Sequence, residues 1–152
     1  MATKQHPFQL TLQERFGGII SHGSHSPDDE PLGYGLACAL EAVNVTKGKP
    51  WSDSPTASGF PDIRQINDGP WPDDNTRTSH LTPLIIALWD WETWTLERKQ
   101  RFSECVAINP VADILPIALQ AAGLWAEAQC CHEATDLTSA SRAASRASRA
   151  SR

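Results

Sequence analysis

The side chains best suited to chemistry lie close together, as two short-spaced pairs: His22-x-x-His25 and, shortly after, Cys38-x-x-Glu41. Zinc selects imidazole, thiolate and carboxylate ligands four at a time, and two pairs on separate elements are a common way to supply them. Asp53 offers a fifth oxygen, or a carboxylate that fixes a histidine tautomer. The same residues also spell a thiol catalyst, with Cys38 as nucleophile at a helix N-terminus, His22 or His25 as base, and Glu41 orienting the imidazole. Apolar neighbours Leu36, Ala37, Ala39 and Leu40 point instead to a buried thiol that behaves as a small hydrophobe. His-x-x-His followed by Cys-x-x-Glu is not a specific zinc motif, and a loop-to-helix structural motif accounts for the cluster more simply.

Positioning these side chains requires a loop followed by a helix. Residues 21–34 are dominated by Ser, Pro, Asp and Gly, which reads as loop. From Tyr34 to Thr46, Leu36, Ala37, Leu40, Ala42 and Val43 recur at helical spacing, with Gly48 as stop and Pro50 blocking continuation. Upstream, Phe8, Leu10 and Leu12 alternate with polar residues and predict a short strand or extended arm. Residues 50–75 are rich in Pro, Asp, Gly and Ser, a loop long enough that it must pack on its tryptophans or hide a short helix near Ile63.

A second helix is expected from about Thr76 to Trp89, capped by Asp74 or Asn75, burying Leu81, Leu84, Ile85 and Leu88 around a misplaced Pro83. A third covers Leu96 to Ala107 with Thr95 as cap. The fourth starts at Asn109 as N-cap with Pro110 in the first helical position, and breaks near Gly123. The expected fold is therefore mainly α, about four helices in one domain over residues 1–138, with a long Pro/Asp/Gly-rich loop. Residues 139–152 repeat Ser, Arg and Ala and read as a disordered or partly helical tail, because only Ala is available to bury.

Composition narrows the function classes. At 152 residues, 40% hydrophobic and 20% charged, the chain can build a real core. Its longest apolar run, Leu84 to Trp89, is short for a bilayer, and Met1 to His6 lack a secretory apolar region. A soluble, cytoplasmic protein with no membrane role is expected, with Cys38, Cys105, Cys130 and Cys131 reduced. The four tail arginines carry +4, which leaves −9 on residues 1–138 to reach the net −5. An acidic body does not fit a nucleic-acid-binding domain, so any such contact falls to Arg142, Arg146, Arg149 and Arg152.

Two further groups carry ligand or stacking side chains. Asp68, Asp73 and Asp74 with Asn67 have the oxygens for a hard cation, but no EF-hand spacing, and helix capping explains Asp73 or Asp74 more simply. Trp89 and Trp125 are expected in the core, whereas Trp91 and Trp94 offer an aromatic patch. Asp90, Glu92 and Glu97 beside that patch repel phosphate and favour a protein partner.

In order along the chain stand His22-Gly23-Ser24-His25, Cys38-x-x-Glu41-Ala42-Val43, Trp51-Ser52-Asp53-x-Pro55, Asn67-Asp68, Asp73-Asp74 with Arg77, and Leu81-x-Pro83-Leu84. This succession resembles a family of small uncharacterised proteins of actinobacteria, related bacteria and their phages, across about residues 20–150. Members often end in long Ala/Arg-rich repeats, as the tail here does. The resemblance implies a mostly helical domain with a tail and supplies no activity. The family typically has His where this chain has Ser54, and a different Gly-containing run before the cysteine where this chain has Pro31-Leu32-Gly33-Tyr34-Gly35. The leading expectation is a non-enzymatic accessory or protein-interaction protein, phage- or mobile-element-encoded. The alternative is a zinc-dependent or thiol enzyme built on His22, His25, Cys38, Glu41 and Asp53.

Overall fold

The computed structural model describes residues 5–28 and 34–151; Pro31, Leu32, Gly33 and the tail's last arginine, Arg152, lie outside them. Among the described residues the chain is mainly helical, with no strand. It divides into two compact units, Met1–Thr93 and Trp94–Arg152. Among the described residues the helices are more numerous than the expected four.

The first unit begins with α1 (Pro7–Phe16), where an extended arm was expected. Buried Phe8, Leu12 and Phe16 recur every four residues, while Leu10, which produced the apparent alternation, is 43% exposed. His6 caps the helix by accepting from the Phe8 N–H, and Pro7 follows in the first turn. Helix α2 (Ala39–Thr46) starts later than the spacing predicted, with Cys38 as its N-cap. The long loop holds two single turns, α3 (Pro55–Ser58) and α4 (Arg64–Asn67), the second opening at Ile63 where a hidden helix was expected. Helix α5 (Asp74–Ala87) is capped by Asp73, whose carboxylate accepts from the Thr76 N–H at 2.6 Å; Pro83 lies inside it. Phe8, Ile20, Leu40, Val43, Leu81 and Ile85 form the core of this unit, closed by a 3-10 turn at Trp91–Thr93.

In the second unit, Thr95 caps α6 (Leu96–Asn109) as expected, but the helix does not restart at Asn109. It widens into a π-helical turn at Pro110–Ile114 and continues as α7 (Leu115–Ala121). The proline that signalled a first helical position is accommodated in mid-helix by that wider turn. The resulting helix, Leu96–Ala121, is long and apolar enough by length and composition to cross a bilayer, a span the sequence did not reveal because Pro110 and Pro116 divide it. Gly123 at φ +77° then reverses the chain into α8 (Trp125–His132).

The tail is the largest departure. Asp136 accepts from the Ser139 N–H and starts α9 (Leu137–Ala150), a continuous helix where a disordered or partly helical tail was expected. Ala140, Ala143 and Ala147 are buried, the last two in a cluster with Leu119, Ala128 and Cys131. An alanine stripe is too small to drive burial alone, but it lets helix backbones approach closely and so replaces large side chains with dense packing.

Candidate functional site

The loop after Ile20, the start of α2, the end of α4 and the start of α5 meet around a set of buried polar side chains. Glu41, 1% exposed, is the centre of it. One carboxylate oxygen accepts from the His25 N–H at 2.7 Å. The other accepts from the Cys38 N–H at 2.7 Å and lies 3.2 Å from His25 Nδ1. The indole N–H of Trp51 donates to the His25 carbonyl at 2.8 Å. This is a capping box in which Cys38 stands where Ser or Thr usually does, and Glu41 reaches back from the third helical position.

Asn67, 2% exposed, ties the same elements from the other side. Its carbonyl oxygen accepts from the Ala39 N–H at 3.2 Å, and its amide donates to the Ser21 carbonyl at 3.2 Å and to Asp68 at 2.7 Å. Asp68 in turn accepts from the Gly23 N–H at 2.8 Å. Burial opposes ionisation of Asp68. The Gly23 and Asn67 hydrogen bonds, with the charges of His22 and Arg77, outweigh it and hold the carboxyl below its ordinary range. Arg77, 4% exposed, donates to the carbonyls of Asn67 at 2.8 Å and Ile20 at 3.4 Å and pairs with Asp74. The Ile20 N–H donates to Thr78 Oγ1 at 2.9 Å.

Of the proposed zinc ligands, the fold brings together His25, Cys38 and Glu41, but uses the Glu41 oxygens to satisfy backbone donors. His22 is exposed and acts on Asp68. Asp53 is half-buried and lines a separate open cleft of about 570 Å³ with Asp62, Arg64, Gln65 and Asp68. Among the described residues no three of His, Cys, Asp and Glu are arranged as a metal-binding group. Cys38 is also poorly set up as a nucleophile. Burial pushes the Cys38 thiol up to about 12; the N–H groups at the start of α2 pull the other way, and the Glu41 carboxylate reinforces the rise. Cys38 should therefore stay unalkylated by iodoacetamide at pH 8 in the folded protein, while exposed Cys105 is labelled; peptide mass mapping that finds Cys38 labelled as readily as Cys105 would contradict this.

The aromatic patch is also redistributed. Trp91 and Trp94 are both half-buried and fall in different units. Trp94 packs edge-on against Phe102 at 5.9 Å, with the Arg98 guanidinium 3.7 Å above its ring. The exposed tryptophan is Trp125, at 66%, which the sequence placed in the core. In the tail helix Arg142 and Arg149 are exposed, and Arg146 reaches Glu127 at 3.3 Å and the Cys130 sulfur at 3.3 Å.

Set against known protein families, curated proteins and solved structures, the chain matches none. Its function is therefore argued from its own geometry.

Proposed function

We propose that the protein is a small non-enzymatic accessory protein that acts by protein–protein contact, through the outward face of the helix running from α6 to α7. One observation carries this reading. No residue of α6 is buried, and along the continuous helix Val106, Ile114 and Ile117 are 48%, 65% and 68% exposed, with Trp125 close by in sequence at 66%. Isolated exposed apolar residues are ordinary; a run of them at spacings of three and eight along one helix marks a contact surface.

The occupant we assign is a second copy of the chain. An aliphatic stripe on a helix is complementary to itself about a two-fold axis. The charges of this helix also cancel: Glu97, Glu104 and Asp113 against Arg98, Lys99 and Arg101, with Glu97 and Arg101 paired at 2.9 Å. Two copies therefore meet without repulsion, whereas an anionic lipid surface gains little from a neutral helix. The buried polar set around Glu41 spends its hydrogen bonds on tying the loop, α2, α4 and α5 of the first unit together.

Light scattering across a dilution series is the test. Wild type should be dimeric at high concentration, and the double substitution Ile114→Asp/Ile117→Asp should weaken association by at least about 100-fold, since each isoleucine contributes roughly 1.5–3 kcal/mol when buried. A monomeric wild type, or one that sediments with phosphatidylglycerol vesicles instead, overturns the reading.

A further inference from the structure

We propose that the outward face of α9 binds the phosphate backbone of duplex DNA, independently of the apolar face of α6 and α7. The argument starts from the repeat itself. Its alanines at 140, 143 and 147 are spaced by three and four, which puts them on one helix face, and all three are buried. The arginines at 142, 146 and 149 follow the same period and therefore also share a face, which packing of the alanines turns outward. Each arginine is preceded by an exposed serine, Ser141, Ser145 and Ser148, so a row of hydroxyls runs beside the row of guanidinium groups.

Paired hydroxyl and guanidinium donors suit phosphate oxygens, the acceptors that fix a protein on a duplex without reading its sequence. From Arg142 to Arg149 the helix rises about 10.5 Å, roughly three base-pair steps of one strand. No acidic residue lies on α9; the carboxylates that act on its arginines are Asp136 at its N-cap, which faces Arg142, and Glu127, which Arg146 meets at 3.3 Å. Arg142, whose Nε donates to the Thr138 carbonyl at 3.5 Å, and Arg149 are both exposed and make no close ion pair among the described residues. Between the arginines the helix carries only Ser and Ala, so it lacks the large apolar side chains that would insert into a lipid surface. Since the whole chain is −5, attraction to phosphate must come from this local surface and not from net charge.

The experiment is fluorescence anisotropy of a labelled 20-base-pair duplex titrated with the full chain at several salt concentrations. Three phosphate contacts, with Arg146 exchanging Glu127 for phosphate on binding, give a log–log slope of about −2.7, a loss of roughly fortyfold between 50 and 200 mM salt. Arg142→Gln/Arg149→Gln leaves one contact and should reduce the slope to about −0.9, whereas Arg142→Lys/Arg149→Lys should retain most of it. Circular dichroism of each variant confirms that α9 is kept. Absence of salt-sensitive binding in wild type, an unchanged slope in the glutamine variant, or binding to phosphatidylglycerol vesicles with none to the duplex would each overturn the proposal.

Discussion

Replacing Glu41 with Ala is expected to remove about 3–5 kcal/mol of stability from the first unit. The reason is the number of groups one carboxylate satisfies. The His25 and Cys38 N–H groups and His25 Nδ1 all converge on it inside the protein, and without it each backbone donor loses its only partner there. A buried donor left unmade costs roughly 1–3 kcal/mol, and a cavity adds to that. Glu41→Gln should fall between, near 2 kcal/mol, because a carboxamide keeps one acceptor but turns an NH2 towards a donor. Urea unfolding gives the free energies. Amide exchange at His25 and Cys38 then separates this cause from general loosening, since those two N–H groups should lose protection first. A change below 1 kcal/mol in both variants would mean that Glu41 is not the anchor of the loop.

The Glu41 result also bears on how a sequence of this kind is read. The four residues of the opening cluster were visible because they lie close in the chain, and three of them do meet. Their chemistry was misread because Cys-x-x-Glu looks like a ligand pair, whereas the same spacing with Ser or Thr first is a familiar helix start. Cysteine in the capping position hid the signal, although the apolar neighbours of Cys38 had already indicated burial. Asn67 and Arg77 were harder to find for another reason. Asn67 bonds to residues 28 and 46 positions away, and Arg77 to one 57 away. In an Asp/Gly/Pro loop an asparagine looks like a turn residue, and nothing local shows that its side chain is a cross-brace.

The helices divide along the same line. The start of α6 and the Leu81, Ile85 and Leu88 face of α5 were legible because caps and apolar spacing are local. Helix α1 was missed because Leu10, exposed, falls between Phe8 and Leu12 and imitates strand alternation. The full extent of helix α9 was not legible because its buried residues are alanines, whose contribution depends on how closely a neighbour packs. Propensity alone leaves a 14-residue helix of this composition marginal. Its alanine face supplies the missing stabilisation only once α8 is in place.

Arg77→Ala is expected to have the second-largest effect, about 3 kcal/mol, and its substitution series isolates the cause. Arg77 reaches two backbone carbonyls from different segments, Asn67 at the end of α4 and Ile20 just before the histidine loop, with its charge set against the free carbonyls of a helix end. Its ion pair with Asp74 contributes little, because the Asp74 side chain is about half exposed. Arg77→Lys keeps the charge and most of the stem, but lacks a planar fork that can serve two carbonyls at once, so it should lose about 2 kcal/mol. Arg77→Met keeps the buried volume and offers no donor; it should lose nearly as much as Ala, because both carbonyls are left without the guanidinium. Asp74→Asn, in contrast, should stay within about 0.5 kcal/mol of wild type. If urea unfolding places Arg77→Met at wild-type stability, Arg77 acts by filling space, and the tie between the end of α4 and the histidine loop must then rest on Asn67 and Asp68.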